Sequence, residues 1–174
     1  MPILKNNLKI THFVLLISCL NFLLFHLPFF TFVFNHLDYK SFNGVIIIIS
    51  LMILMLVLNA LVFYLILFLS HYVGKFLLVL FFIINSVAVY FVNTYSVIID
   101  ESMIGNVLNT KYAESSSYFS IKLVVYVILF GIIPSIYIIK VKIINAPWKK
   151  SLTTISLTLL FVLIAVFANA SNWL

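Results

Sequence analysis

Residues 42–69 read FNGVIIIISLMILMLVLNALVFYLILFL, and no charged side chain interrupts them. A helix that crosses a hydrocarbon core of about 30 Å needs roughly 20 apolar residues, because unpaired backbone groups are not tolerated in lipid. This stretch meets that need and sets the class of the whole chain. Working outward, four further segments qualify: His12 to Phe34 before it, then Val73 to Asn93, Phe119 to Ile139 and Leu152 to Asn169 after it. The second and third spans are joined by a short turn around His71 and Gly74, which makes them antiparallel neighbours. The expectation is an all-α integral membrane bundle of five transmembrane helices that occupies residues 1–174.

Composition agrees. Of the 174 residues 65% are hydrophobic and 8% charged, and a mean hydropathy of +1.27 is far above that of a water-soluble domain. The ten basic residues are all Lys and give a net charge of +6. On a soluble protein that excess would suggest nucleic acid, but here the lysines stand singly or in pairs between apolar runs and form no continuous basic face. No nucleic-acid partner is expected.

The lysines fix an expected direction. Lys5, Lys9, Lys75, Lys140, Lys142, Lys149 and Lys150 fall on one side of the five spans, and Lys40, Lys111 and Lys122 on the other. By the positive-inside rule the seven are cytoplasmic, which puts the N-terminus in the cytoplasm and the C-terminus on the outer face. All four acids, Asp38, Asp100, Glu101 and Glu114, then lie outside. Trp148, Tyr90, Tyr95 and Trp173 fall where aromatic belts belong.

Inside the spans there is little for transport chemistry to use. No Asp, Glu, Lys or Arg lies well within any of them, whereas ion-coupled transporters usually need such groups near the midplane. Asn21, His26, Asn59 and Asn85 read as hydrogen-bonding contacts between helices. Pro28 and Pro134 are expected to kink their helices. The histidines are scattered over different depths and predict no metal site. Cys19, the only cysteine, excludes an intrachain disulfide and reads as a buried small hydrophobe. An alternative reading of Leu16-Ile17-Ser18-Cys19 is a lipoprotein signal, in which that cysteine would become the new N-terminus.

The informative connection is the outer loop 94–118 between the third and fourth spans, much longer than most connections. It is expected to hold a short interfacial helix, with Asp100 as N-cap and Met103, Ile104, Val107 and Leu108 as an apolar face. On that helix Asn106, Thr110 and Glu114 are spaced by four and form one polar stripe. An amide, a hydroxyl and a carboxylate converging there could bind an ammonium-bearing lipid headgroup, the carboxylate pairing with the cation. The competing reading is the solvated face of an amphipathic helix.

Tyr90-Phe91, Tyr95, Asp100, Met103-Ile104, Asn106-Val107, Thr110 and Glu114 resemble the signature of the bacterial phosphoethanolamine transferases that modify lipid A, a family that includes the mobile colistin-resistance enzymes. The resemblance covers the chain as five spans with a helix-bearing outer loop. It implies an inner-membrane domain that anchors a large outer catalytic domain of alkaline-phosphatase-like fold. There a zinc-activated threonine would take phosphoethanolamine from phosphatidylethanolamine and pass it to lipid A or a related acceptor, a change tied to polymyxin resistance. By the resemblance, Asn106, Thr110 and Glu114 match positions of the lipid headgroup pocket. Lys111 departs from the pattern, in which an acid is common after the threonine.

That catalytic domain is expected to be absent from residues 1–174. Zinc-assisted transfer needs clustered carboxylates and histidines with an activated nucleophile, and the four isolated acids and four scattered histidines do not supply them. The chain on its own is therefore expected to be inactive, with no catalytic residues, no metal ligands and no cofactor, zinc belonging to the catalytic domain. The alternative is a free-standing membrane protein that acts by interaction or regulation through a protein partner. A small channel or lipid transporter is a third reading.

Overall fold

The computed structural model describes residues 7–37, 39–95, 120–144 and 146–171. In chain order these form β1 (Asn7–Lys9), α1 (Ile10–Phe25), α2 (Leu27–His36), α3 (Phe42–Leu69), α4 (His71–Tyr95), α5 (Ile121–Lys140), β2 (Lys142–Ile144) and α6 (Trp148–Ser171). Helices α3, α4, α5 and α6 are each long and apolar enough to cross a membrane, and α1 with α2, bent by 60° at their break, meets the same test as a pair and counts as a fifth if the two form one broken span and not a re-entrant loop. The fold is thus an all-α integral membrane one. The short helix expected in the loop after α4 falls outside the described residues.

The chain divides into two units, Met1–Leu77 with Lys140–Leu174, and Leu78–Ile139. In the first, α1 buries Ile10, Phe13, Val14, Ile17, Ser18 and Asn21. Steps of three and four place these on one face, and that face packs against α3. Cys19 lies one residue round from it and is exposed, so the expectation of a buried cysteine is corrected: its thiol lies off the face that packs on α3. Helix α3 also packs on α6, where the Tyr64 hydroxyl donates to Ser151 Oγ at 3.1 Å and the Phe68 and Trp148 rings lie 5.2 Å apart.

Serines delimit these helices. Ser41 caps α3 by accepting from the Gly44 N–H at 3.0 Å. Ser70, in extended conformation, ends α3 and opens α4: its N–H donates to the Ile66 carbonyl and its Oγ accepts from the Val73 N–H, both at 3.4 Å. The tight reversal needs a small residue at Gly74, because a Cβ there would lie 2.9 Å from Leu67 Cδ2 and 3.0 Å from Leu67 Cα.

A parallel ribbon is an addition that the all-helical expectation did not contain. Asn7 pairs with Lys142, Leu8 with Ile143 and Lys9 with Ile144. The ribbon ties the chain before α1 to the connection between α5 and α6. The Lys75 ammonium donates to the Val141 carbonyl beside it.

In the second unit α4 buries Leu78, Phe82, Ser86, Val89 and Tyr90, again one face. Helix α5 is π-wound over Val127–Ile132, directly before Pro134. Proline lacks an N–H and its ring would strike the carbonyl four residues back in a regular turn; the wider π turn relieves that clash. Ser135 Oγ donates to the Gly131 carbonyl at 2.7 Å. Gly131 itself allows close approach to α4, since a Cβ there would stand 2.9 Å from Ser86 Oγ and 3.3 Å from Ile83 Cα. Many long apolar side chains, among them Leu23, Phe42, Leu69 and Ile121, face outward, as suits a molecule whose solvent is hydrocarbon.

Candidate functional site

Asn106, Thr110 and Glu114, the sequence-derived headgroup stripe, lie outside the described residues. What the described residues supply is the frame that holds the two ends of that segment, the last turns of α4 and the first of α5. Tyr90, expected among the aromatic belt, instead turns inward with 1% of its surface exposed. Its hydroxyl lies 2.6 Å from Ser120 Oγ. Ser120 is also the N-cap of α5, accepting from the Leu123 N–H at 3.2 Å. One hydroxyl therefore closes the helix and joins it to α4.

Aromatic packing stiffens the clasp. The Tyr90 ring meets Phe91 and Tyr126 edge to face at 5.3 and 5.6 Å, and Tyr126 meets Phe130 at 5.2 Å. Residues 96–119 thus leave and rejoin a helix pair whose ends are fixed, which lowers the ordering cost of any site the segment carries. One helical turn beyond Tyr90, Thr94 Oγ1 is buried with no partner among the described residues. Sequence reasoning missed Ser120. The signal was a serine just before the apolar run that begins at Ile121, an ordinary helix start.

A second polar group lies at the bend between α1 and α2. Asn59 Nδ2 and His26 Nε2 are 3.2 Å apart, the kind of interhelical contact expected of these two residues. Asn21 does not share in it: both its amide atoms are buried without a partner among the described residues, as are Ser18 Oγ and His26 Nδ1. No group of three or more His, Cys, Asp or Glu among the described residues could hold a metal ion, so they give zinc no seat.

Six of the seven lysines assigned to one side are described and belong to the first unit, Lys9, Lys75, Lys140, Lys142, Lys149 and Lys150; Lys9 and Lys142 stand on the paired strands β1 and β2, and Lys75 is bonded to Val141.

Comparison with known proteins places this geometry in a family. Residues 54–174 match the sequence family described as phosphoethanolamine transferase EptA/EptB. The chain is 35% identical over 161 residues to phosphoethanolamine transferase EptA of Helicobacter pylori, covering 92% of this chain and 30% of the relative. It is 31% identical over 119 residues to phosphatidylethanolamine transferase Mcr-2 of Escherichia coli, covering 65% of this chain and 22% of that protein. In fold it is similar to the integral membrane lipooligosaccharide phosphoethanolamine transferase A of Neisseria meningitidis, with a TM-score of 0.81 at 20% identity over 96% of this chain and 31% of the other. The chain therefore spans less than a third of the length of these relatives.

Proposed function

The chain belongs to the phosphoethanolamine transferase EptA/EptB family, and from that premise we propose that it forms the membrane domain of such an enzyme, anchoring it and holding the donor lipid. The donor is phosphatidylethanolamine and the acceptor lipid A or a related glycan, so the modified envelope carries less negative charge and resists polymyxins. The zinc of the transfer chemistry is held in a catalytic domain beyond these residues. The domain lies in the inner membrane of a bacterium, with its lysine-rich end and N-terminus in the cytoplasm and the loop after α4 on the periplasmic side.

The observation that carries the reading is the family match from residue 54 to 174, because it includes the whole segment 96–119 as well as the helices that hold it. On that segment Glu114 pairs with the headgroup ammonium, while Asn106 and Thr110 orient it through hydrogen bonds. A primary ammonium offers three N–H donors to such a group, and the quaternary ammonium of phosphatidylcholine offers none. Binding is therefore selective for ethanolamine over choline.

The test is lipid binding to the reconstituted chain with phosphatidylethanolamine and phosphatidylcholine in parallel. Glu114→Gln replaces a charge-assisted contact by a neutral one, a loss of roughly 1.5 kcal/mol or about tenfold in affinity for the ethanolamine lipid. Choline lipid binding stays as it was. Equal binding of the two lipids, unchanged by Glu114→Gln, would return segment 96–119 to a plain amphipathic surface.

A further inference from the structure

A cleft of about 130 Å³ opens within the first unit between α1, α3 and α6, lined by Thr11, Leu15, Ala60, Tyr64, Thr154 and Thr158 among others. Its two threonines on α6 are apolar toward the cleft in effect. Thr154 Oγ1 donates to the Lys150 carbonyl at 2.9 Å and Thr158 Oγ1 to the Thr154 carbonyl at 2.8 Å, so both spend their hydroxyl protons on their own helix. The Tyr64 hydroxyl is likewise engaged with Ser151. Engineered apolar cavities of similar size, about 150 Å³, stay dry and take up hydrocarbon.

One end of this cleft is basic. Thr154 and Thr158 stand one and two helical turns past Lys150, about 6 and 12 Å along α6, and Thr11 stands about 3 Å past Lys9 along α1. Lys9, Lys142, Lys149 and Lys150 are all exposed. Among the described residues there is no acid to balance them; in sequence the four acids fall between α2 and α3 or between α4 and α5. An apolar slot a few methylenes deep, with lysines within one or two helical turns of its lining along α1 and α6, complements the polarity of an anionic phospholipid.

The geometry points to a seat for an anionic phospholipid of the phosphatidylglycerol type. Its phosphate rests on Lys149, Lys150 and Lys9, and the first methylenes of one acyl chain enter the cleft between α1, α3 and α6. This site is separate from the ethanolamine site proposed on segment 96–119 and requires nothing of it.

Trp148, which precedes Lys149 and is 66% exposed, reports on the seat directly. With Trp173→Phe it is the one tryptophan left, because the chain has two. The full chain is reconstituted in phosphatidylcholine nanodiscs, and quenching of Trp148 by acyl-brominated phosphatidylglycerol is compared with quenching by acyl-brominated phosphatidylcholine. The seat predicts half-maximal quenching at a mole fraction on the order of tenfold lower for the anionic lipid, a preference that Lys149→Gln with Lys150→Gln removes. Ala60→Leu, which fills the cleft, weakens it, and Thr158→Val, which keeps the shape, does not. A measurement on the unaltered cleft guards against misfolding of the filled variant: glycerophosphoglycerol, the same headgroup with no acyl chain to enter the cleft, competes poorly. Equal quenching by the two brominated lipids overturns the seat. Full competition by the deacylated headgroup also overturns it, leaving only a charged surface.

Discussion

Pro28 and Pro134 both interrupt apolar runs, yet the first stands at the start of a new helix after a 60° bend, whereas the second lies inside a helix that continues. The difference is in how the freed backbone groups are met. Before Pro134 the chain widens into a π turn, Ser135 engages the Gly131 carbonyl, and Gly131 lets α4 and α5 close up. Around Pro28 a hydroxyl also engages the backbone, Thr31 Oγ1 donating to the Leu27 carbonyl, and the His26 N–H still donates to the Phe22 carbonyl, but there is no π turn: α1 ends at Phe25, and the bend carries His26 and Asn59 in contact beside an Asn21 without a partner among the described residues. A proline in a membrane helix is thus absorbed where the turn before it widens and bends the helix where it does not.

The contrast can be broken first at Gly131. Gly131→Val puts branched carbons where even a Cβ meets Ser86 Oγ at 2.9 Å, and overpacking of this kind costs about 2–3 kcal/mol. Unfolding of the variant in mild detergent should show that loss, and an unshifted midpoint would mean that α4 and α5 do not approach there. Next comes Ser120→Ala, which removes a helix cap and the Tyr90 partner together for about 1–2 kcal/mol. Tyr90→Phe keeps the ring contacts and loses only the hydroxyl, at roughly 0.6 kcal/mol, as is usual for interhelical hydrogen bonds in membranes. Combined with Ser120→Ala it should add almost nothing further, and full additivity would deny the clasp. No larger than Tyr90→Phe is Asn59→Leu at the bend, again about 0.6 kcal/mol, because the partly exposed His26 ring can turn toward another polar group. A loss as large as that at Gly131 would make the bend, and not the α4–α5 pair, the rigid part of the molecule.

How much of this was legible in the sequence depends on the range of the interaction. The spans could be read because lipid imposes a local rule, some 20 apolar residues in a row, and Phe42–Leu69 is identical in sequence and structure. The β ribbon could not, since Asn7–Lys9 and Lys142–Ile144 are three residues each and pair across nearly the whole chain, with no local pattern to announce them. Ser151 was left outside the fifth span, although α6 already begins at Trp148, and so its bond to Tyr64 went unseen. The bend was readable at Pro28, whereas at Pro134 the expected kink is replaced by a π turn in a span that continues, and the packing there rests on Ser135, Gly131 and Ser86, whose meeting is tertiary. For the candidate site, periodicity gave the stripe Asn106, Thr110 and Glu114, their side-chain chemistry suggested an ammonium-bearing headgroup, and the family resemblance matched them to headgroup-pocket positions. The Tyr90–Ser120 clasp that frames it came only with the fold.

The most direct measurement is a chimaera. The chain replaces the corresponding membrane portion of the Helicobacter pylori relative, the fusion is expressed in a host without its own transferase, and lipid A is analysed by mass spectrometry. The account predicts lipid A carrying added phosphoethanolamine, reduced by Glu114→Gln with the fusion still present in the membrane. A fusion that is stable in the membrane yet leaves lipid A unmodified, while the parent enzyme modifies it in the same host, would contradict the account.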